Sequence, residues 1–133
     1  MKKKKGRIGS SVKDFFEKDG VKYDAYKARL DLIPPEAINA LGQVLTYGEQ
    51  KYGSRNWELG MDWGRVFAAA QRHLWKWWSG TEQDDESKLD HLYHALANIA
   101  FLIAYHERKI GTDTRARVLG KPKQKTKNNK RVR

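Results

Sequence analysis

Two of the chain's four histidines, His91 and His94, lie about one turn apart in a stretch with helical apolar spacing. Ser87, His91, His94 and Asn98 recur at i, i+4, i+7 and i+11, so a polar ridge runs along an otherwise apolar helix. Imidazoles so placed can converge on a divalent cation or on phosphate oxygens, with Glu86 and Asp90 one turn N-terminal. The blander reading is that they are part-exposed and merely hydrogen-bonded. Just before the ridge, Gly80-Thr-Glu-Gln-Asp-Asp-Glu-Ser brings Glu82, Asp84, Asp85 and Glu86 close together. Carboxylates this crowded repel one another unless solvated or bound to metal. Magnesium takes hard oxygen ligands and keeps waters that can become nucleophiles, so an acidic loop beside a polar helix face suits nucleotide hydrolysis. Capping is the competing account, because acids in a first turn favour the positive end of a helix.

A second helix offers Arg72, His73 and Lys76 on the side away from Phe67 and Leu74. An arginine there can hold a phosphate through two parallel hydrogen bonds. The segment from Tyr47 to Trp57 alternates aromatic, cationic and turn residues, a mixture suited to a base and its phosphates. Five tryptophans are many for one small core; Trp77 reads as core and Trp57 as a pocket residue. The chain contains no Gly-Lys-Ser or Gly-Lys-Thr phosphate loop, no serine elbow and no His-Glu-x-x-His. Phosphate chemistry is left to a metal held on helices.

The elements that must carry these groups are three helices. Pro35 suits a first helical position, and Ile38, Leu41, Val44, Leu45, Gly48 and Tyr52 follow at spacings of three and four up to Gly53. A second periodic stretch runs from Trp63 to Trp78, burying Val66, Phe67, Ala70, Leu74 and Trp77, and stops at Ser79-Gly80. A third is expected from Glu86 to Ile110, with Leu89, Leu92, Leu96, Ile99, Ala100 and Ile103 packing and Gly111 as its stop. Residues Lys22 to Pro34 read as an irregular arm. The expected fold class is all-α: a compact bundle of three main helices with that arm and basic tails, and an oligomer is expected.

With 133 residues the chain has room for one core. Its net charge of +11 sits at the ends: five basic residues fall between Lys2 and Arg7 and seven between Lys121 and Arg133, without an acid in either stretch. The interior from Ile8 to Gly120 then carries fifteen basic and sixteen acidic residues, a formal charge of −1. Disordered tails are expected at 1–20 and 113–133 around a domain at 21–112. The tails can serve solubility or bind nucleic acid weakly, and a nucleic-acid-binding accessory protein is the alternative function. Cysteine is absent, which excludes disulfides and thiolate chemistry and fits a reducing compartment. No apolar run has the roughly 20 residues of a membrane span, and a soluble intracellular protein is expected.

Lys22-Tyr23-Asp24, Lys27, Arg29 through Ala37, Leu45-Thr46-Tyr47-Gly48, Lys51-Tyr52-Gly53, Asn56-Trp57, Arg72-His73, Trp77, Glu86-Ser87 and His91-x-x-His94-Ala95-x-x-Asn98 together resemble the phage dATP/dGTP diphosphohydrolases, including the MazZ enzymes. The likeness runs in unbroken order from Val21 to Tyr105. It implies an all-α MazG-like pyrophosphohydrolase in the host cytoplasm. Such an enzyme uses Mg2+, or another divalent ion such as Mn2+ or Co2+, to cleave dATP or dGTP to the monophosphate and pyrophosphate. In MazZ systems that chemistry serves 2-aminoadenine DNA. MazG-like enzymes hold metal with Glu-rich pairs, whereas the corresponding stretches here offer histidines. The expected metal ligands are therefore mixed, drawn from Glu36, Glu82, Asp84, Glu86, His91 and His94, with Glu86, His73, His91 and His94 as catalytic candidates. Lys51 and Arg72, with Lys22, Lys27 and Arg29 from the arm, are expected to neutralise pyrophosphate. Tyr52, Asn56 and Trp57 are expected to hold the purine, and Asn98 to face substrate from the ridge.

Overall fold

A computed structural model describes residues 20–117. The chain divides into two units, Met1–Asp31 and Leu32–Arg133. In the first, residues 20–29 form no helix or strand; a turn is closed by the Lys27 N–H on the Asp24 carbonyl, and Arg29 pairs with Asp31. One turn of 3-10 helix spans Leu30–Leu32. The expected tail at 1–20 lies outside the described residues except for Gly20, and the one at 113–133 beyond residue 117.

The second unit holds three α-helices: α1 (Pro35–Tyr52), α2 (Trp63–Trp78) and α3 (His91–Arg108). Among the described residues two isolated bridges, Asp62 with Thr112 and Gln83 with Asp90, are the sole β-type pairings. The fold is the expected all-α bundle, in which α3 packs mainly on α2 and to a lesser extent on α1. Pro35 opens α1, where its missing N–H removes no bond, and Gly53 closes it at φ 89°. Asp62 caps α2 by accepting the Arg65 N–H at 3.0 Å.

The third helix starts at His91, not at Glu86. Asp84 turns the preceding residues into a closed loop: its carboxylate accepts the Ser87 N–H at 2.9 Å and the Ser87 hydroxyl at 3.0 Å. Its own N–H reaches the Leu89 carbonyl, and Lys88 sits at a left-handed φ of 60°. Short polar side chains that bond nearby amides compete with helix formation, and here they win. Asp90 then caps α3 through the Leu92 N–H at 2.7 Å.

The buried apolar positions are Ala40, Val44, Trp63, Val66, Ala70, Ala95, Ala97 and Tyr105. Several expected core residues lie outside: Phe67, Leu74, Ile99 and Ile103 are 54%, 41%, 42% and 56% exposed, and Ile38, Tyr52, Trp77 and Leu92 are exposed too. Alanines are half of the buried set, as suits close helix approach, beside a cluster of Trp63, Val66 and Tyr105, while Phe67 and Leu74 of α2 and Ile99 and Ile103 of α3 face outward. Packing continues beyond Gly111, since the Thr114 hydroxyl accepts the Gly64 N–H and donates to Asp62.

Candidate active site

A cleft of about 790 Å³ opens where the C-terminal end of α1, the loop after it, α2, the acidic loop and α3 meet. From α1 come Tyr47, Lys51 and Tyr52, and from the following loop Asn56 and Trp57. Helix α2 adds Arg72 and His73, the acidic loop Asp84 and Glu86, and α3 His94, Asn98 and Phe101 at one-turn intervals. Ten residues expected at a site from sequence thus share one cleft: Lys51, Tyr52, Asn56, Trp57, Arg72, His73, Asp84, Glu86, His94 and Asn98.

Three expected site residues of the second unit, His91, Glu36 and Glu82, do not line it. His91 is 1% exposed, beneath His73. Glu36 is exposed in the first turn of α1, outside the cleft lining. Glu82 is likewise exposed and outside the lining, and it contributes a carbonyl that accepts the His91 N–H at 2.7 Å. Asp85 is exposed as well. Lys22, Lys27 and Arg29 lie exposed in the first unit, where Arg29 is engaged by Asp31 at 2.7 Å.

The floor of the site is a cluster of imidazoles. Nδ1 of His73 and Nδ1 of His91 face each other at 2.8 Å, and the rings of His73 and His94 stack with centroids 4.7 Å apart. His94 Nε2 lies 2.6 Å from the Ser87 hydroxyl and 4.0 Å from the Asp84 carboxylate. Burial, followed by repulsion from His94 and His91, pushes His73 down from 6.5 to about 4. Burial also lowers His94, with Asp84 opposing it. Both are neutral near pH 7. Asp84 feels burial, which raises it, but the Ser87 N–H and hydroxyl outweigh this and hold its carboxyl below the usual range.

The rim is cationic and aromatic. Lys51 forms an ion pair with Glu86, which raises the lysine and lowers the carboxyl, and Tyr47 beside Glu86 reinforces the latter effect. Arg72 has no ion pair among the described residues. Trp57 stacks on Phe101 at 5.0 Å with planes 19° apart, and the Arg108 guanidinium lies 5.3 Å from its ring centre. The Tyr105 hydroxyl donates to the Trp57 carbonyl at 2.6 Å, and Arg108 reaches Glu58 at 3.0 Å. An otherwise open loop is thereby fastened to α3.

Phe101 was not among the expected site residues, and Tyr47 was expected only as the first residue of the segment suited to a base and its phosphates. Tyr47 is one turn before Lys51, and Phe101 extends the His94–Asn98 ridge by another turn, so helical spacing contained a signal for both. For a divalent cation the test is donor chemistry. His73, Asp84 and His91 each offer a ligand atom, and the three atoms lie within 4.8 Å of one another. The residues fit such an ion. Neutral imidazoles, a hydrogen-bonded carboxylate and free or exchangeable cations around one cleft can take up a phosphorylated ligand and move a proton beside it.

Fold and site together define a helical domain with one cleft lined by cationic, acidic, imidazole and aromatic side chains. By sequence the chain belongs to the family described as dATP/dGTP diphosphohydrolase, N-terminal, whose model matches residues 17–115. It is also 39% identical over 83 residues to a dATP/dGTP diphosphohydrolase of Salmonella phage PMBT28. That match covers 62% of this chain and 28% of the relative, so the chain spans only a fraction of the relative's length. No solved structure matches it.

Proposed function

We propose that this chain hydrolyses dATP and dGTP to the monophosphate and pyrophosphate, with a divalent cation. The observation that carries the reading is the convergence of Lys51, Arg72, His73, Asp84, His94 and Trp57 on one cleft. The name of the Salmonella phage relative supports the substrate class. A cleft of about 790 Å³ is also in the range of small-molecule sites.

In this mechanism Arg72 and Lys51 bind the β and γ phosphates, and Lys51 exchanges Glu86 for phosphate as substrate enters. The purine lies in the part of the cleft lined by Tyr52, Asn56 and Trp57. Neutral His94 donates its Nε2–H to the oxygen of Ser87, whose own hydroxyl donates to Asp84, and with the ring so held accepts a proton from the attacking water at Nδ1. Water oxygen bonds to the α phosphorus, the bond from that phosphorus to the bridging oxygen breaks, and its electron pair leaves with pyrophosphate. A divalent cation would supply charge neutralisation on the phosphate oxygens: Mn2+ or Co2+ would find donors in His73, Asp84 and His91, whereas Mg2+ would come bound to the triphosphate itself.

Such a reaction would act on the nucleotide pool in the host cytoplasm during phage DNA synthesis, including synthesis of 2-aminoadenine DNA. Among the described residues no helix is long and apolar enough to cross a membrane. The exposed Phe67, Ile99 and Ile103 support self-association of the bundle as part of this reading. Nucleic-acid binding through the tails concerns residues outside those described, apart from the first few. The decisive experiment supplies dATP, dGTP, dCTP and dTTP with MgCl2 and follows pyrophosphate. Release from the purine nucleotides is expected; release of orthophosphate instead, or no turnover of any of the four, would sink the proposal.

A further inference from the structure

Three of the four histidines meet in one cluster, and the fourth, His106, is exposed on α3. The facing Nδ1 atoms of His73 and His91 at 2.8 Å cannot both be protonated or both be bare; without an ion between them, one ring must donate and the other accept. For His91, at 1% exposure, this is the one side-chain hydrogen bond among the described residues. Asp84 completes the group from a third element, and only one of its carboxylate oxygens, Oδ2, is engaged, by Ser87. The other has no hydrogen bond among the described residues. A carboxylate held by a neighbour through one oxygen is oriented to ligate through the second.

Between the two imidazoles the spacing is close to what a cation requires, and the Asp84 donor lies within 4.8 Å of both. Two nitrogens bound tetrahedrally at about 2.0–2.1 Å stand roughly 3.3 Å apart, so the two rings would part by about 0.5 Å. His73 is only half-buried and free to make that adjustment, whereas His91 is fixed at the first position of α3. The donor types decide the ion. Magnesium prefers six hard oxygens and retains its waters, while two imidazoles and one carboxylate suit a borderline transition ion.

We infer that His73, Asp84 and His91 form a resident site for a borderline divalent ion of the Zn2+ or Co2+ class, separate in role from any Mg2+ that travels with a triphosphate. His94, stacked on His73 and tied to Ser87, stands beside the site and outside the ligand set. The inference concerns the ligand set alone and stands whether or not the chain hydrolyses nucleotides.

The test uses the full, untagged chain after chelator treatment and dialysis, titrated with CoCl2 while its visible absorption is followed. One Co2+ per chain is expected, displaced by ZnCl2 and retained in a large excess of MgCl2. His73→Gln and Asp84→Asn should each weaken binding by more than about tenfold, whereas His106→Gln should bind as the parent does. Circular dichroism checks that each variant is helical, and Asp84→Asn, a loop change, serves if His73→Gln does not fold. No cobalt absorption in the parent, binding as tight as the parent's in both site variants, or displacement by magnesium would overturn the assignment. Pyrophosphate release without tight Co2+ or Zn2+ binding would remove this site and leave the hydrolase reading standing.

Discussion

The Ser87 hydroxyl lies 2.6 Å from Nε2 of His94 and 3.0 Å from the Asp84 carboxylate, so one small side chain joins a loop acid to a helix imidazole. If His94 takes the proton from water, His94→Ala should lower kcat on dATP by roughly 10²- to 10⁴-fold and change KM little. Ser87→Ala should cost less, about tenfold, because it only orients the ring. Steady-state pyrophosphate release measures both. A His94→Ala enzyme with parental kcat would take His94 out of the chemistry.

Stability should depend on pH through His73. Its folded-state value is depressed from 6.5 to about 4, first by burial and then by His94 and His91 nearby, with Asp84 opposing and Lys76 adding to the depression. Below pH 6.5 the unfolded chain binds a proton that the folded chain refuses until about pH 4. Stability is therefore intact above 6.5 and declines as pH falls through that window, with His94 acting in the same direction. Urea melts in chelator between these limits should show a shallower decline for His73→Gln; an identical pH profile would contradict the assignment.

Tyr105 is fully buried, and its hydroxyl fastens the Trp57 loop to α3. Tyr105→Phe removes one hydrogen bond and leaves the ring, so a loss of about 1 kcal/mol in urea denaturation is expected. Because Trp57 lines the cleft, KM for dATP should rise more than kcat falls. An unaltered KM would mean that the loop does not contact substrate.

Gly111 has φ 77°, and a Cβ built on it would lie 2.3 Å from the Met61 carbonyl oxygen. Gly111→Ala meets both a left-handed backbone and a backbone clash, and should destabilise the domain by at least about 2 kcal/mol. Thermal or urea unfolding reads this directly. A change within error would show that the junction after α3 relaxes freely.

Lys51 and Glu86 are paired at the rim, where solvent screens them. Lys51→Met should leave the melting temperature nearly unchanged while raising KM for dATP, since its role is to exchange the carboxylate for phosphate. A large fall in melting temperature with unchanged KM would reverse that assignment.

Local sequence determined the three helices and most of the cleft. Pro35, Gly53, Asp62 and Ser79-Gly80 mark helix ends by backbone chemistry that acts within a few residues. Helical spacing likewise placed His94 and Asn98 on one face, and the aromatic and cationic residues from Lys51 to Trp57 signalled a ligand-facing segment. The start of α3 was harder to read, because Asp84, Ser87 and Lys88 close a loop through bonds that a periodic pattern does not display. Tertiary structure alone brought His73 against His91, stacked Trp57 on Phe101 and turned Ile99 and Ile103 outward. Those outcomes depend on how closely alanine-lined helices approach and at what rotation. Spacing along one helix cannot specify that, because it is settled by the surface of the helix opposite.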